Sequence, residues 1–294
     1  MITEITPEKF DTEVADSLRR VAEAADRADA VNTLNEQTCL SLKHHGLDGA
    51  RLWLASDDAG SPIGLALLRG HDLDLVVAPD SRQQGIGSEL MTNVATTGAR
   101  IEAWSHANHP GAARLADQFA VPLERELVVM SRRTALEVPP VEIPDGISIR
   151  TYHPGDEEEI LRINSAAFKQ HPEQGHMTLA DFRDRTSEPW FDPNGLFLAV
   201  EDSGRILGFH WTKVHRDENP VYGEVYVVAV DTHAVGRGLG KVLTSVGLQH
   251  LATTGVDDVI LYVEGDNEPA LAVYYGQGFA RLRSEVQYQG TPQA

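Results

Sequence analysis

Glu224 opens a run, EVYVVAVDTHAVGRGLG, in which two kinds of chemistry lie side by side. The glutamate heads an apolar stretch, Val225 to Val230, where partial burial would make its carboxylate a better proton acceptor. A strand-end carboxylate in solvent would leave the same trace in the sequence. The run ends in a loop with Gly236, Gly238 and Gly240 and leads into the helical pattern KVLTSVGLQHLA. A glycine turn that opens a helix leaves several N–H groups unpaired at the positive end of the helix dipole, which makes a seat for phosphate. The segment Arg82, Gln83, Gln84, Gly85, Ile86, Gly87 builds a similar seat in the first half of the chain.

The elements that must carry these residues repeat. The spacing predicts two helices, through DTEVADSLRRVAEAADRADAV and NEQTCLSLKHH, then a hairpin from RLWLAS and IGLALL, a strand LDLVVA, the loop, a helix, the strand IEAWSH, a helix and a last strand LERELVVMSRR. The hairpin LFLAVEDSGRILGFHW follows LWLASDDAGSPIGLAL at an offset of 144 residues, and Gly238 and Gly240 follow Gly85 and Gly87 at 153. NEPALAVYYGQGF follows NHPGAARLADQFA at 159, so the second copy has gained residues, chiefly around VHRDENPVYGE. The proline-bearing stretch TALEVPPVEIPDG reads as a linker, which puts domains at residues 1–140 and 141–294. The fold class is α/β, a mixed and largely antiparallel central sheet flanked by helices, built twice.

Composition narrows the partners. A formal net charge of −19 over 294 residues, acidic in both halves, argues against a nucleic-acid surface. No run is long and apolar enough for a membrane span, and MITEITPEKF lacks the basic and apolar segments of a signal peptide. A cytoplasmic monomer acting on small-molecule substrates is expected. Cys39 is the single cysteine, expected as a buried inert thiol, so no disulfide and no multi-cysteine metal site can form. His171, His210 and His215 have no metal-ligand spacing, and no metal is expected.

R-Q-Q-G-I-G, placed after a strand and before a helix and matched by a second loop with N-x-P-A one helix later, resembles the GCN5-related N-acetyltransferase superfamily. The resemblance implies that these loops hold the pyrophosphate of acetyl-CoA, the expected co-substrate. A dinucleotide loop is disfavoured, because neither copy has G-x-G-x-x-G or alternating βα units. HPEQG, EPWFDP, GFHWTKVH, GEVYVVAVD and LYVEGDN further resemble the mycothiol synthase family, tandem acetyltransferases of actinobacteria. That resemblance implies acetyl transfer from acetyl-CoA to the cysteinyl amine of a cysteinyl-glucosaminyl-inositol.

The resemblance also implies roles. Glu224 would be the general base and Tyr274 the general acid near the thioester sulfur, with the neighbouring Tyr275 expected in the core. Backbone groups of Val228, Ala229 and Val230 would pair with the pantetheine arm, and Val235, Gly236, Arg237, Gly238, Leu239, Gly240 and Lys241 would hold the pyrophosphate. Val235 stands where Gln or Arg is usual, which leaves local charge to Arg237 and Lys241. Asn267, Glu268, Pro269, Ala270, Leu271 and Ala272 would complete the groove. Glu36, Glu173, Lys213, Glu224 and Tyr262 would meet the acceptor, and a role for Glu36 requires the two halves to face each other across it. In the first copy Leu75, Val76, Val77 and Arg82 to Gly87 would hold acetyl-CoA, while His71 and Leu115 stand at the offsets of Glu224 and Tyr274, so that copy is expected to be silent. A different amine acceptor (a peptide N-terminus, an aminoglycoside or a polyamine) and an acetyl-CoA sensor remain open on these residues.

Overall fold

The computed structural model describes residues 1–169 and 175–293. The chain forms two compact units, Met1–Leu127 with Ser284–Ala294, and Val128–Arg283.

In the first unit, α1 (Thr12–Asp29) starts where the Asp11 carboxylate accepts from the Val14 N–H at 3.0 Å, and α2 (Glu36–His45) starts on Asn35 and stops at Gly46. Strands β1 (Ile2–Ile5), β2 (Ala50–Ser56), β3 (Pro62–Arg69), β4 (Asp72–Val77) and β5 (Ile101–Ser105) lie side by side in chain order, with only β4 and β5 parallel. Alternation sorts their side chains: Leu52, Leu65 and Leu67 pack on Leu18, Val21 and Ala25 of α1. Trp53, Ala66 and Leu68 face the opposite way, onto Leu90 and Val94 of α3 (Ile86–Ala95) and Ala116 of α4 (Pro110–Gln118). Strand β6 (Leu123–Arg133) follows and passes into the second unit at Val128.

The second unit repeats this plan with β7 (Ile147–Thr151), β8 (Leu196–Glu201), β9 (Ile206–His215), β10 (Tyr222–Val230) and β11 (Asp258–Glu264), where β7 to β10 pair antiparallel in chain order and β10 and β11 pair in parallel. Ile160 and Ile163 of α5 (Glu157–Ala167) and Phe182 of α6 (Leu179–Thr186) cover one face, over Leu196, Leu198, Phe209 and Trp211. Leu243, Leu248 and Leu251 of α7 (Leu239–Thr253) cover the other. After α8 (Glu268–Gly276), β12 (Ala280–Gly290) ends in the first unit, where Val286 to Gly290 pair antiparallel with Ser105 to Ile101.

Two features escaped the sequence reading. Strand β1 has only four residues, half exposed at the sheet edge, and so lacks a clear alternation. The last strand of the chain reads as a strand, but its sequence does not say which sheet it joins.

Candidate active site

On β9 and β10 the register sets Tyr222 opposite His215, Gly223 opposite Val214 and Glu224 opposite Lys213. Opposed residues project to one face of a sheet, and alternate residues share it, so Lys213, His215, Tyr222 and Glu224 form one patch. Glu224 is 7 % exposed and Lys213 8 %, so the strand-end carboxylate is buried, not solvated. The Glu224 Oε2 lies 2.6 Å from His215 Nε2, and the His215 ring stacks on Tyr222 with centroids 4.3 Å apart. The Lys213 ammonium lies 4.4 Å from the centre of the Trp190 ring and 5.2 Å from that of Tyr226, whose hydroxyl accepts from Arg185 at 2.8 Å. The faces of electron-rich rings attract a cation.

Just past Glu224 the strands part. The parallel register of β10 with β11 covers Gly223 with Val259 and Glu224 with Ile260, while the pairing with β9 continues to Val230. A bulge between Val225 and Val227 adds one residue to β10 and bends it. The backbone of Val228, Ala229 and Val230 therefore runs along the open side of a splayed strand pair, where an extended chain can add like a missing strand.

The bulge corrects the repeat alignment at its most consequential point. In the first unit β3 and β4 pair without a shift, and Arg69, the counterpart of Lys213, faces Asp72. The register thus matches Glu224 with Asp72 rather than with His71, Tyr226 being the inserted residue. The environments still differ. Asp72 is exposed, and the Arg69 guanidinium donates to the carbonyls of Gly46 and Asp48.

The glycine loops are built alike and anchored oppositely. Gly238 caps α7 with φ 76° and Gly85 caps α3 with φ 87°, both in the left-handed region that favours glycine. An added Cβ at Gly236 or Gly238 would meet nothing within 4 Å, so the loop's outer side is open. In the first unit Arg82 grips Asp29 of α1 at 2.6 and 2.7 Å, and its Nε donates to the Val77 carbonyl. At the matching place in the second unit Val235 is 71 % exposed, and the anchor is the fully buried Asp231, which accepts from Arg162 of α5 at 2.7 Å, from Arg205 at 3.1 Å and from the His233 N–H at 2.9 Å. Burial alone would raise the Asp231 carboxyl. The His233 N–H and the two guanidinium groups outweigh burial and hold it down at about 2. The unusual valine is thus matched by an ion pair of reversed polarity to the same kind of preceding helix. Arg237 reaches Glu201 at 3.3 Å, and Lys241 is exposed.

Tyr274 packs with Val228, Ala270 and Leu271 against one cluster that includes Val225 and Leu261, and its ring meets Phe279 edge-on at 5.9 Å. Burial pushes its hydroxyl up to about 12, so it is a neutral donor at ordinary pH. Tyr275 is 53 % exposed and is not in the core. One step along a helix turns the side chain by about 100°, and the inward stripe here is Ala270, Leu271 and Tyr274. Asn267 caps α8 by accepting from the Ala270 N–H at 3.2 Å, with Glu268 and Pro269 in its first turn and Ala272 on the exposed side.

Tyr262, on β11, is 39 % exposed, and Glu36 begins α2 in the first unit. Glu173 and His171 lie outside the described residues. Cys39 is exposed rather than buried, because Thr38, Leu40 and Ser41 take the inward positions of α2. His210 is fully buried and bonds the Leu243 carbonyl through Nδ1 at 2.8 Å, which leaves it in the core. Spacing alone could have singled out His215, which stands two residues beyond Lys213 on one strand and so shares its face.

The first unit holds a cavity of about 540 Å³ between β4 and β5, lined by Leu75, Val76, Val77, Arg82, Gln83, Gly85 and Gly87. Leu115, at the place of Tyr274, lines it as well. Glu224 and Tyr274 lie in the other unit.

A carboxylate at the fork of two strands, with a glycine-capped helix beyond it, has the build of an acyl-group transferase. Residues 16–119 and 158–279 each match the model of the acetyltransferase (GNAT) family, and the chain belongs to that family. It is 46 % identical over 299 residues to a mycothiol acetyltransferase of Nocardioides sp., covering 95 % of this chain and 99 % of the relative. It is 41 % identical over 297 residues to the mycothiol acetyltransferase of Streptomyces coelicolor, covering 98 % and 94 %. Among solved structures, a tandem GNAT protein from the clavulanic acid biosynthesis pathway aligns over 100 % of both chains with a TM-score of 0.74 at 18 % identity. A GCN5-related N-acetyltransferase from Sphaerobacter thermophilus aligns over 100 % of this chain and 96 % of that one, with a TM-score of 0.68 at 22 % identity. The last two likenesses concern the fold alone.

Proposed function

We propose that the chain is a mycothiol synthase, which moves acetyl from acetyl-CoA to the cysteinyl amine of a cysteinyl-glucosaminyl-inositol and releases CoA. The observation that carries this reading is the buried Glu224 beside Lys213 at the fork of β10 and β11, in a chain whose near-full-length relatives bear that activity in their names.

An ammonium cannot attack a thioester, so its proton must leave first. Glu224 accepts that proton, directly or through one water, and the amine nitrogen then bonds to the carbonyl carbon. The C–S bond breaks as the intermediate collapses: the Tyr274 hydroxyl gives its proton to the departing sulfur, while the bonded nitrogen sheds its surplus proton to solvent on becoming an amide, and Tyr274 is reprotonated from solvent. Backbone groups of Val228, Ala229 and Val230 pair with the pantetheine arm, and the Val235 to Lys241 loop presents N–H groups to the pyrophosphate. Lys213 donates to hydroxyl oxygens of the acceptor, and Tyr262 stands on the neighbouring strand for the same ligand. The first unit holds a CoA-type ligand in its cavity without reaction, since Leu115 offers no proton.

The test is purified protein with acetyl-CoA and cysteinyl-glucosaminyl-inositol, alongside a peptide amine, an aminoglycoside and a polyamine, followed by CoA thiol release and product mass. Acetylation of the cysteinyl amine is expected. Turnover of another amine alone would overturn the acceptor assignment, and binding without turnover would favour a sensor.

A further inference from the structure

Glu224 is held by a neighbour that the proposed reaction does not use. His215 Nε2 lies 2.6 Å from Glu224 Oε2, with side-chain exposures of 14 % and 9 %. The ring is itself fixed, stacked on Tyr222 at an interplanar angle of 21°. Facing a carboxylate oxygen at this distance, Nε2 carries the hydrogen and donates it. Among the described residues no hydrogen bond engages the second oxygen, Oε1. The arrangement is directional, because one oxygen is tied down by a ring that cannot rotate without breaking its stack.

Resting on the reading of Glu224 as base, we infer that His215 is a positioning residue. It fixes Oε2 through a charge-assisted hydrogen bond, so that Oε1 points its lone pair towards the amine. Other groups act on this face. Lys213 stands opposite Glu224, Tyr262 lies two residues beyond its β11 partner Ile260, and Asp217, Glu218 and Arg283 surround Tyr222. None of them is in hydrogen-bond contact with Oε2 among the described residues, so the donor that sets this oxygen is the imidazole.

Two substitutions separate positioning from packing. H215F keeps a flat ring against Tyr222 and removes the donor, while H215Q keeps an N–H near the position of Nε2 without an imidazole. For H215F, kcat should fall about tenfold while the KM for acetyl-CoA stays within twofold. H215Q should recover most of the rate, a rescue that a purely packing role would not give. If H215F fails to fold, H215Q alone decides, and a tenfold loss of kcat in that variant overturns the inference. An H215F enzyme with wild-type kcat would also overturn it. E224Q run in parallel keeps the two ideas apart: turnover lost in E224Q but intact in H215F removes only the role of His215, whereas turnover retained in E224Q removes the base itself.

Discussion

Lys213 stands directly opposite Glu224 across the β9 and β10 pairing, with its ammonium held over Trp190 and Tyr226. Two opposite charges buried on one sheet face are costly to desolvate, and we propose that the acceptor makes use of Lys213. K213M keeps the packing of the stem and removes the charge. The KM for the cysteinyl acceptor should rise about tenfold, equal to roughly 1.4 kcal/mol of lost binding, with kcat within threefold of wild type. Steady-state kinetics checks this, and an unchanged KM with a collapsed kcat would place Lys213 in the chemical step instead.

Asp231 ties the second glycine loop to Arg162 and Arg205. D231N keeps the shape and removes the charge that both guanidinium groups share. Unfolding free energy should drop by about 2 kcal/mol, the range of charged hydrogen bonds, and the KM for acetyl-CoA should rise as the loop loosens. Urea titration and acetyl-CoA kinetics measure the two effects separately. Wild-type values for both would mean that the loop keeps its form without this anchor.

His210 gives the fold a defined acid weakness. Burial pushes it down to about 4, despite the Leu243 carbonyl, from the ordinary 6.5. The unfolded chain therefore takes up a proton below about pH 6.5, while the native state resists until about 4. Stability is full above that window and is lost as pH falls through it, by about 3 kcal/mol at 1.36 kcal/mol for each unit. H210N should abolish that slope, visible as a pH-dependent difference in urea midpoints between variant and wild type. The same packing forbids a larger neighbour, since an added Cβ at Gly247 would lie 2.0 Å from the ring. G247A should cost about 2 kcal/mol or more.

Periodicity exposed most of the frame, because helices with one apolar stripe and strands with strict alternation leave a plain trace in the sequence. The Leu18, Val21 and Ala25 stripe of α1 is an example, whereas Leu65 to Leu68 is an unbroken apolar run buried on both faces and is legible as a strand from its length and the turn before it. What stayed hidden depended on partners distant in sequence. A constant offset cannot register the extra residue at Tyr226, so it matched Glu224 with His71, and only the pairing of β9 with β10 reveals Asp72. The reversed anchor at Asp231 needs Arg162 and Arg205, which lie 69 and 26 residues upstream. Tyr274 and Tyr275 were separable in principle by the stripe through Ala270 and Leu271, yet the short apolar helix AVYYG gave each an equal claim. Residues 170–174, with Glu173 among them, fall outside the described structure.

We propose that proton transfer belongs to the second unit, through Glu224 and Tyr274. Its most direct measurement is turnover of acetyl-CoA with the cysteinyl acceptor by E224Q and by Y274F, alongside acetyl-CoA affinity from calorimetry. The expected result is a kcat at least a hundredfold lower in E224Q and at least tenfold lower in Y274F, with acetyl-CoA bound as in the wild type. Wild-type turnover in both variants would contradict it and move the chemistry elsewhere in the chain.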